Sequence, residues 1–535
     1  MKKTIVFLQM MLVALTVLGG PKYDATYHLI SETYTLNPDG SLDYHFRKEL
    51  QLFSKASFDT YGETFIWYNT EYQTLTIHEA YTVRKDGSKV QTPANAFNPS
   101  LPYACENCER FNGIREMVVT HTALEYDATI VLDYTIHTEQ PFLKELLAQV
   151  NLYADVPIER YEVTFKDNYG EEKTEVPYVF NNIAPDPEEA YLPKGLLRTV
   201  GFSTLENLPE FLRRVSRQNA FYNDNKPFME VLDGLLSNSL SDMENILAVR
   251  DYVAGNVVEN DVPMRYMGYL IASPATVWNT NCGTPFEKNL LLHSMLSAAG
   301  YKSTFGVFED NWKSNPESAV QVMVDGKRFY ISASNPGDLS LEALHEDDVF
   351  VTMDQVFFNI EREPVKIQSV AHVKVVREGN GYKPQVDERV TSVQSPKAKT
   401  LLSRKVSLCN VKADNLNSNY WQLKVTNGNY GTNLHASAIA RDRLNDVFVS
   451  PTDEQYSCTI EIPGYARWVT PDRVVEKKYD FGYVRVENHV VNDKMIVTRR
   501  LVIDKTPVSG KKQIRQLREM MAEWDAGQPL IFVVL

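Results

Sequence analysis

From Tyr23 to about Pro193 apolar and polar positions alternate with a period of two, most clearly in the runs YQTLTIHEA from Tyr72 and ATIVLDYTI from Ala128. Turn signals separate them, among them Asn37-Pro38-Asp39-Gly40 and Asp86-Gly87, and the pattern predicts short strands joined by tight turns. An antiparallel β-sandwich is expected over residues 20–200. Its many aromatics fit cross-strand packing better than a sugar-stacking platform, because sheets favour aromatic residues in any case.

Proline and acid then accumulate at Ala184-Pro-Asp-Pro-Glu-Glu-Ala, and the period changes from two to helical. Apolar residues recur at i, i+3 and i+4 from Asn207, from Phe228 and from Asp242, which predicts three amphipathic helices. A fourth opens at Thr284-Pro285-Phe286-Glu287. Threonine is a good N-cap, proline suits the first helical position, and T-x-x-E is a capping box. Leu290, Leu291, Leu292, Met295 and Leu296 give this helix a wide apolar face, and Gly300 supplies the stop. Strand patterns follow at 304–308 and 320–324, then an Asp325-Gly326 turn and a strand from Arg328. The order predicts an α+β domain over 201–348. Strands return from 349, and an amphipathic helix from about Lys511 to Ala526 carries Ile514, Leu517, Met520, Met521 and Trp524 on one stripe. A C-terminal β-sandwich with a terminal helix is expected over 349–535, the stripe packing on its own domain.

The first residues change the compartment. Lys2 and Lys3 precede an apolar run from Ile5 to Leu18, and Val17 and Gly19 offer small residues for cleavage, so residues 1–19 read as a secretory signal peptide. No cysteine directly follows that run, so a lipoprotein anchor is not expected, and no later stretch of the sequence reads as a membrane helix. A length of 535 residues with 43% hydrophobic positions supports several packed domains. The formal net charge of -14 argues against nucleic acid or an anionic membrane surface as partner.

Five cysteines are few for a disulfide scaffold of this size. Cys105 and Cys108 form a C-x-x-C pair, expected as a local disulfide or as free thiols rather than a metal or redox centre, since no second pair or histidines stand at ligand spacing. Cys409 and Cys458 lie in strand-like segments and are a second possible pair, which leaves Cys282 over. Asp338, Glu342, His345, Glu346 and Asp347 form an acidic loop whose spacing matches no metal template. No phosphate-binding glycine loop, nucleophile elbow or H-E-x-x-H helix occurs, and no cofactor is expected.

Spaced positions in the first segment carry a family resemblance: Tyr61-Gly-Glu, Gln73-Thr-Leu-Thr-Ile-His-Glu-Ala, Arg84-Lys-Asp-Gly-Ser-Lys and the run from Val118 to Ile130. They resemble a domain of unknown function that precedes transglutaminase-like cores in Gram-negative envelope proteins. The middle segment is similar to the transglutaminase-like family, a relative of papain-type cysteine enzymes, through Glu287-Lys288, Leu290-Leu-Leu and Ala298-Ala-Gly. The last third resembles, more weakly, the sandwich that closes that architecture. In that family Gly-x-Cys opens a long helix, a histidine stands on the next strand, and an aspartate follows the strand after the turn. A cysteine there gains thiolate character from the helix dipole, the histidine moves its proton, and the acid orients the ring.

Carried onto this chain, the resemblance puts Pro285 at the nucleophile, Glu317, Ser318 or Ala319 at the base, and Ser332 at the acid. None of them supplies the chemistry. Cys282 is a fallback nucleophile three positions earlier, but no histidine occurs between His293 and His345, and His293 stands eight residues into the helix. The sequence therefore predicts an exported envelope protein, in the periplasm or on the outer surface, whose degenerate core recognises protein, peptide or glycan. A cysteine acyl-transferase or peptidase using Cys282 and a surface glycan binder are the alternatives.

Overall fold

The structure is a computed structural model. It describes residues 23–139, 143–152, 154–185, 199–218, 226–310, 312–337, 340–345, 348–361, 365–394, 409–417, 419–427, 446–447, 449, 451–525 and 529–535. The expected signal peptide, most of the 184–190 proline-acid stretch, and Asp338, Glu346 and Asp347 lie outside them. The chain is β-rich, with few helices, and divides into two compact units. The first takes the described residues of 1–186, 198–318 and 351–356, the second those of 187–197, 319–350 and 357–535. The expected boundaries after 200 and 348 do not coincide with this division.

The first unit is built on a seven-stranded sheet whose central strands Ala25–Leu36, Leu42–Leu52 and Thr129–Thr138 pair antiparallel, while Ile158–Asp167 joins Ala25–Leu36 in parallel. Alternation along these strands gives one apolar face. A three-stranded sheet of Glu63–Asn69, Ile114–Thr120 and Phe97–Ser100 covers one part of it, Ile66 and Val119 meeting Leu132 and Ile136. The ribbon Leu147–Asn151 with Thr199–Ser203 covers another part, Ala148, Val150 and Val200 meeting Tyr161, Val163 and Phe165. Sandwich layering thus arises from the period-two pattern, but one strand pair is parallel, which alternation alone cannot distinguish.

Lys48 sits in this first core, donating to Thr64 Oγ1 at 2.7 Å; Thr64 in turn bonds His121 Nε2 at 2.9 Å. Burial pushes the lysine pKa down to about 8. Burial, aided by the lysine charge, takes His121 down to about 3. The same unit holds the helices Leu208–Val215, Met229–Leu235, Asp242–Asn256, Pro274–Thr280 and Pro285–Ala298, three of them on the predicted amphipathic runs.

The second unit contains a six-stranded and a four-stranded sheet. Ala371, Val373, Cys458, Ile460 and Val497 on the larger meet Cys409, Leu423, Val425 and Phe532 on the smaller. Further along that same face of the larger sheet, Ile367, Tyr456, Val484 and Leu501 meet the helix Gly510–Asp525. Ile514, Leu517, Met520, Met521 and Trp524 are all buried there, so the predicted stripe packs on its own unit. Between the two sheets Cys409 Sγ donates to Cys458 Sγ at 3.9 Å, and no disulfide joins them.

Candidate functional site

The helix Pro285–Ala298 begins as its sequence dictates. Thr284 Oγ1 accepts from the Glu287 N–H at 3.3 Å and Glu287 Oε2 accepts from the Thr284 N–H at 2.9 Å, completing the capping box. Proline at the first position has no N–H of its own to satisfy. Glu287 does more than cap. It is 1% exposed, its Oε2 also takes Arg110 Nη2 at 2.6 Å, and its Oε1 accepts from the Ala272 N–H at 2.7 Å. One carboxylate therefore ties the helix start to a loop of the first sheet region and to the preceding turn. The packing at Gly283 is close: a Cβ there would lie 3.2 Å from Val277 Cγ1 and 3.3 Å from Glu287 Oε2, so these side chains would have to give by a few tenths of an ångström. The next residues are buried and spent as well, Lys288 on Glu259 at 3.0 Å and Asn289 on the Ser318 carbonyl at 2.9 Å.

Cys282 is not left over. Its sulfur is bonded to Cys108, 174 positions away in sequence, with a Cα–Cα distance of 5.9 Å. This corrects the expected Cys105–Cys108 pairing and removes the thiol on which the fallback nucleophile depended. The cause lies in the chain around both ends. Val258–Glu259 pairs in parallel with Cys282–Gly283, and Asn260 Nδ2 donates to the carbonyls of Ala104 at 2.8 Å and Glu106 at 3.2 Å. These contacts press the 101–112 loop onto position 282. Cys105 is a free, fully buried thiol whose pKa burial raises to about 11, a poor nucleophile.

The other positions carried over from the family resemblance take ordinary roles. Glu317 is exposed, Ser318 is buried under Asn289, and Ala319 is part of the core. Ser332 is buried in its own unit, and its hydroxyl accepts from the Ser334 N–H at 3.1 Å. His293 bonds Ser303 Oγ at 3.0 Å, its pKa lowered by burial. His345 pairs with Asp348 at 3.3 Å. Among the described residues one trio could face a metal ion, His45, His78 and Asp133, with ligand atoms within 4.8 Å of one another. Arg47 already holds Asp133 at 3.0 Å, and Thr135 takes His78 Nε2 at 2.8 Å.

The first unit also contains a cavity that sequence reasoning missed. Its volume is about 100 Å³, and its lining includes Tyr34, Tyr44, Glu145, Arg265, Tyr269 and Lys313. The turn Met264–Met267 ends in two left-handed residues, Gly268 at φ 58° and Tyr269 at φ 60°. A bulky residue in that region is uncommon and is maintained by its surroundings. Here Gln218 Nε2 donates to the Tyr269 carbonyl at 2.7 Å, and Asn69 Nδ2 donates to that of Tyr266 at 2.8 Å. Behind Tyr34 and Tyr44, buried Glu32 accepts from both phenols, at 2.6 and 3.1 Å, and from Tyr161. Burial raises the pKa of Tyr34, Tyr44 and Tyr269, the last to about 12, and in each the positive charge of Arg265 pulls the other way. No periodicity marks Arg265 or Lys313, because an isolated basic residue in a loop carries no pattern.

Residues 38–194 match the family model described as a domain of unknown function with solved structure, DUF3857. No curated protein matches the chain. A crystal structure of a "putative protease" from Parabacteroides distasonis is similar, with a TM-score of 0.72 and 25% identity over 96% of this chain and 99% of that one. A "putative cysteine protease" from Cytophaga hutchinsonii aligns over 66% of this chain and 92% of its own, with a TM-score of 0.20 and 9% identity, too weak to carry an argument.

Proposed function

We propose that this is an exported envelope protein, periplasmic or on the outer surface, whose transglutaminase-like core has lost catalysis and serves recognition of protein, peptide or glycan. The observation that carries the reading is the helix start at 284–287. Pro285 stands where the family resemblance requires a nucleophile, and the Thr284 and Glu287 amides beside it are committed to the capping box. The Cys108–Cys282 bond supports it twice, by occupying the nearest sulfur and because such bonds persist in oxidising compartments. N-terminal sandwich, central core and C-terminal sandwich with its helix form the layout within which this core would act.

A peptidase is the second reading, favoured by the similarity to the Parabacteroides distasonis structure described as a "putative protease". In this chain it would need the Cys108–Cys282 bond opened. Purified protein assayed against mixed peptides and for amine incorporation into glutamine donors, with and without a thiol reductant, separates the two. No turnover in either condition is expected. Turnover that appears with reductant and vanishes in Cys282→Ala would replace the recognition reading with the peptidase.

A further inference from the structure

Charges lining the cavity of the first unit are unevenly paired. Of its two carboxylates, Asp43 bonds His137 Nδ1 at 2.6 Å, and Glu145 Oε1 takes Arg214 Nη1 at 3.0 Å. Its two cations have no such partner: among the described residues no carboxylate lies within 4 Å of Arg265 or Lys313. Arg265 donates to the neighbouring Tyr266 hydroxyl at 3.1 Å and lies over that ring at 4.9 Å, and Lys313 lies 5.1 Å from the centre of the Trp312 ring. Glu32, the carboxylate nearest behind the tyrosines, is already spent on three phenols. A guanidinium and an ammonium lining one concave, aromatic-walled space, neither within ion-pair distance of a described carboxylate, favour an anion.

One further polar atom points to the ligand. Glu145 Oε2 is buried in this lining with no hydrogen-bond partner among the described residues, and burial raises the pKa of this carboxyl. A buried orphan oxygen costs free energy unless something donates to it. The space is smaller than the ~150 Å³ that accommodates a benzene ring in a well-studied apolar cavity, so it suits a few heavy atoms rather than a folded peptide. We propose that the cavity binds a small carboxylate that also carries an N–H donor, an amino acid or the end of a short peptide. The carboxylate meets Arg265 and Lys313, the N–H donor meets Glu145, and the aliphatic part lies against Tyr34, Tyr44 and Tyr269. The proposal rests on the recognition reading and names its ligand class.

Calorimetric titration of the full chain with alanine, Ala-Ala, alaninamide, N-acetylalanine and inorganic phosphate tests it. Alanine and Ala-Ala are expected to bind, and alaninamide, lacking the carboxylate, to bind at least about tenfold more weakly. Arg265→Gln and Lys313→Gln should each weaken alanine by about tenfold or more. N-acetylalanine keeps one N–H donor and loses the ammonium charge, so it should still bind the wild type but more weakly than alanine, and that difference should shrink in Glu145→Gln. Arg265→Lys, which keeps the charge and loses the planar fork, should fall between wild type and Arg265→Gln; it is the control should the neutral variant misfold. The proposal is overturned if neither alanine nor Ala-Ala binds at millimolar concentration, if alaninamide equals alanine, if phosphate binds more tightly than both carboxylates, or if Arg265→Gln binds as wild type. Absence of binding leaves the non-catalytic reading standing, whereas binding accompanied by cleavage of Ala-Ala removes that reading and keeps the site.

Discussion

Opening the bond between Cys108 and Cys282 should loosen the first unit substantially. The bond closes a loop of 174 positions. In the chain-entropy account, denatured-state freedom lost to such a loop is about 2.1 plus 1.5R ln 174, or about 17 cal/mol/K, equivalent to about 5 kcal/mol at 25 °C. Part of that is lost to residual structure in the reduced chain, so a loss of about 2–5 kcal/mol is expected. Cys108→Ser, Cys282→Ser and the double variant should all fall by nearly the same amount, because either change alone breaks the bond. Cys105→Ser should not share this loss. Peptide mapping without reductant establishes the pairing: a fragment containing Cys108 must be linked to one containing Cys282. Hydrogen exchange then reads the energetics, with protection in 101–112 and 258–283 falling together on reduction. A Cys105–Cys108 link in the map, or additive losses in the two single variants, would refute the reasoning.

Three further outcomes follow from buried groups. Lys48 has a folded pKa of about 8 against an ordinary 10.5, so the folded state binds fewer protons between these values and stability rises with pH across that window; the full cost, about 3 kcal/mol, is present below pH 8. Lys48→Met should therefore be more stable than wild type at pH 7, and the gap should shrink towards pH 10.5; parallel unfolding profiles from pH 7 to 10 would contradict this. Glu287→Ala leaves Arg110 and the amides of Ala272 and Thr284 without their acceptor and should cost about 3–5 kcal/mol, with Glu287→Gln milder; thermal unfolding that ranks them equally would count against the tie. Trp524→Ala empties the pocket between Tyr456, Arg499 and the larger sheet of the second unit and should cost about 3–5 kcal/mol by denaturant titration, whereas Glu519→Ala on the same helix should cost little.

Much of this was legible because local rules decide it. The capping box at 284–287 and the stripe from Ile514 to Trp524 are determined within a few residues, and both stand where the sequence puts them. The cysteine pairing was not legible, because C-x-x-C spacing competes with contacts made over long separations. Asn260 and the short Val258–Glu259 strand decide it in favour of Cys282. Arg110 gave no warning of its bond to Glu287 across 177 positions. The Arg265 cavity was hidden for the same reason, its wall being assembled from strands and turns whose patterns announce only their own period.

Glu287 also limits what engineering can restore. A cysteine placed at 285 would stand at a helix N-terminus, the position that elsewhere lowers a thiol pKa. Here a buried carboxylate lies two residues on, with Oε2 already on the Thr284 amide. Its negative charge would oppose that of a thiolate. Reactivity would need the carboxylate and its arginine changed together, at the expense of the contact that joins the helix to its neighbouring loop. The same residue that starts the helix therefore keeps Pro285→Cys inert.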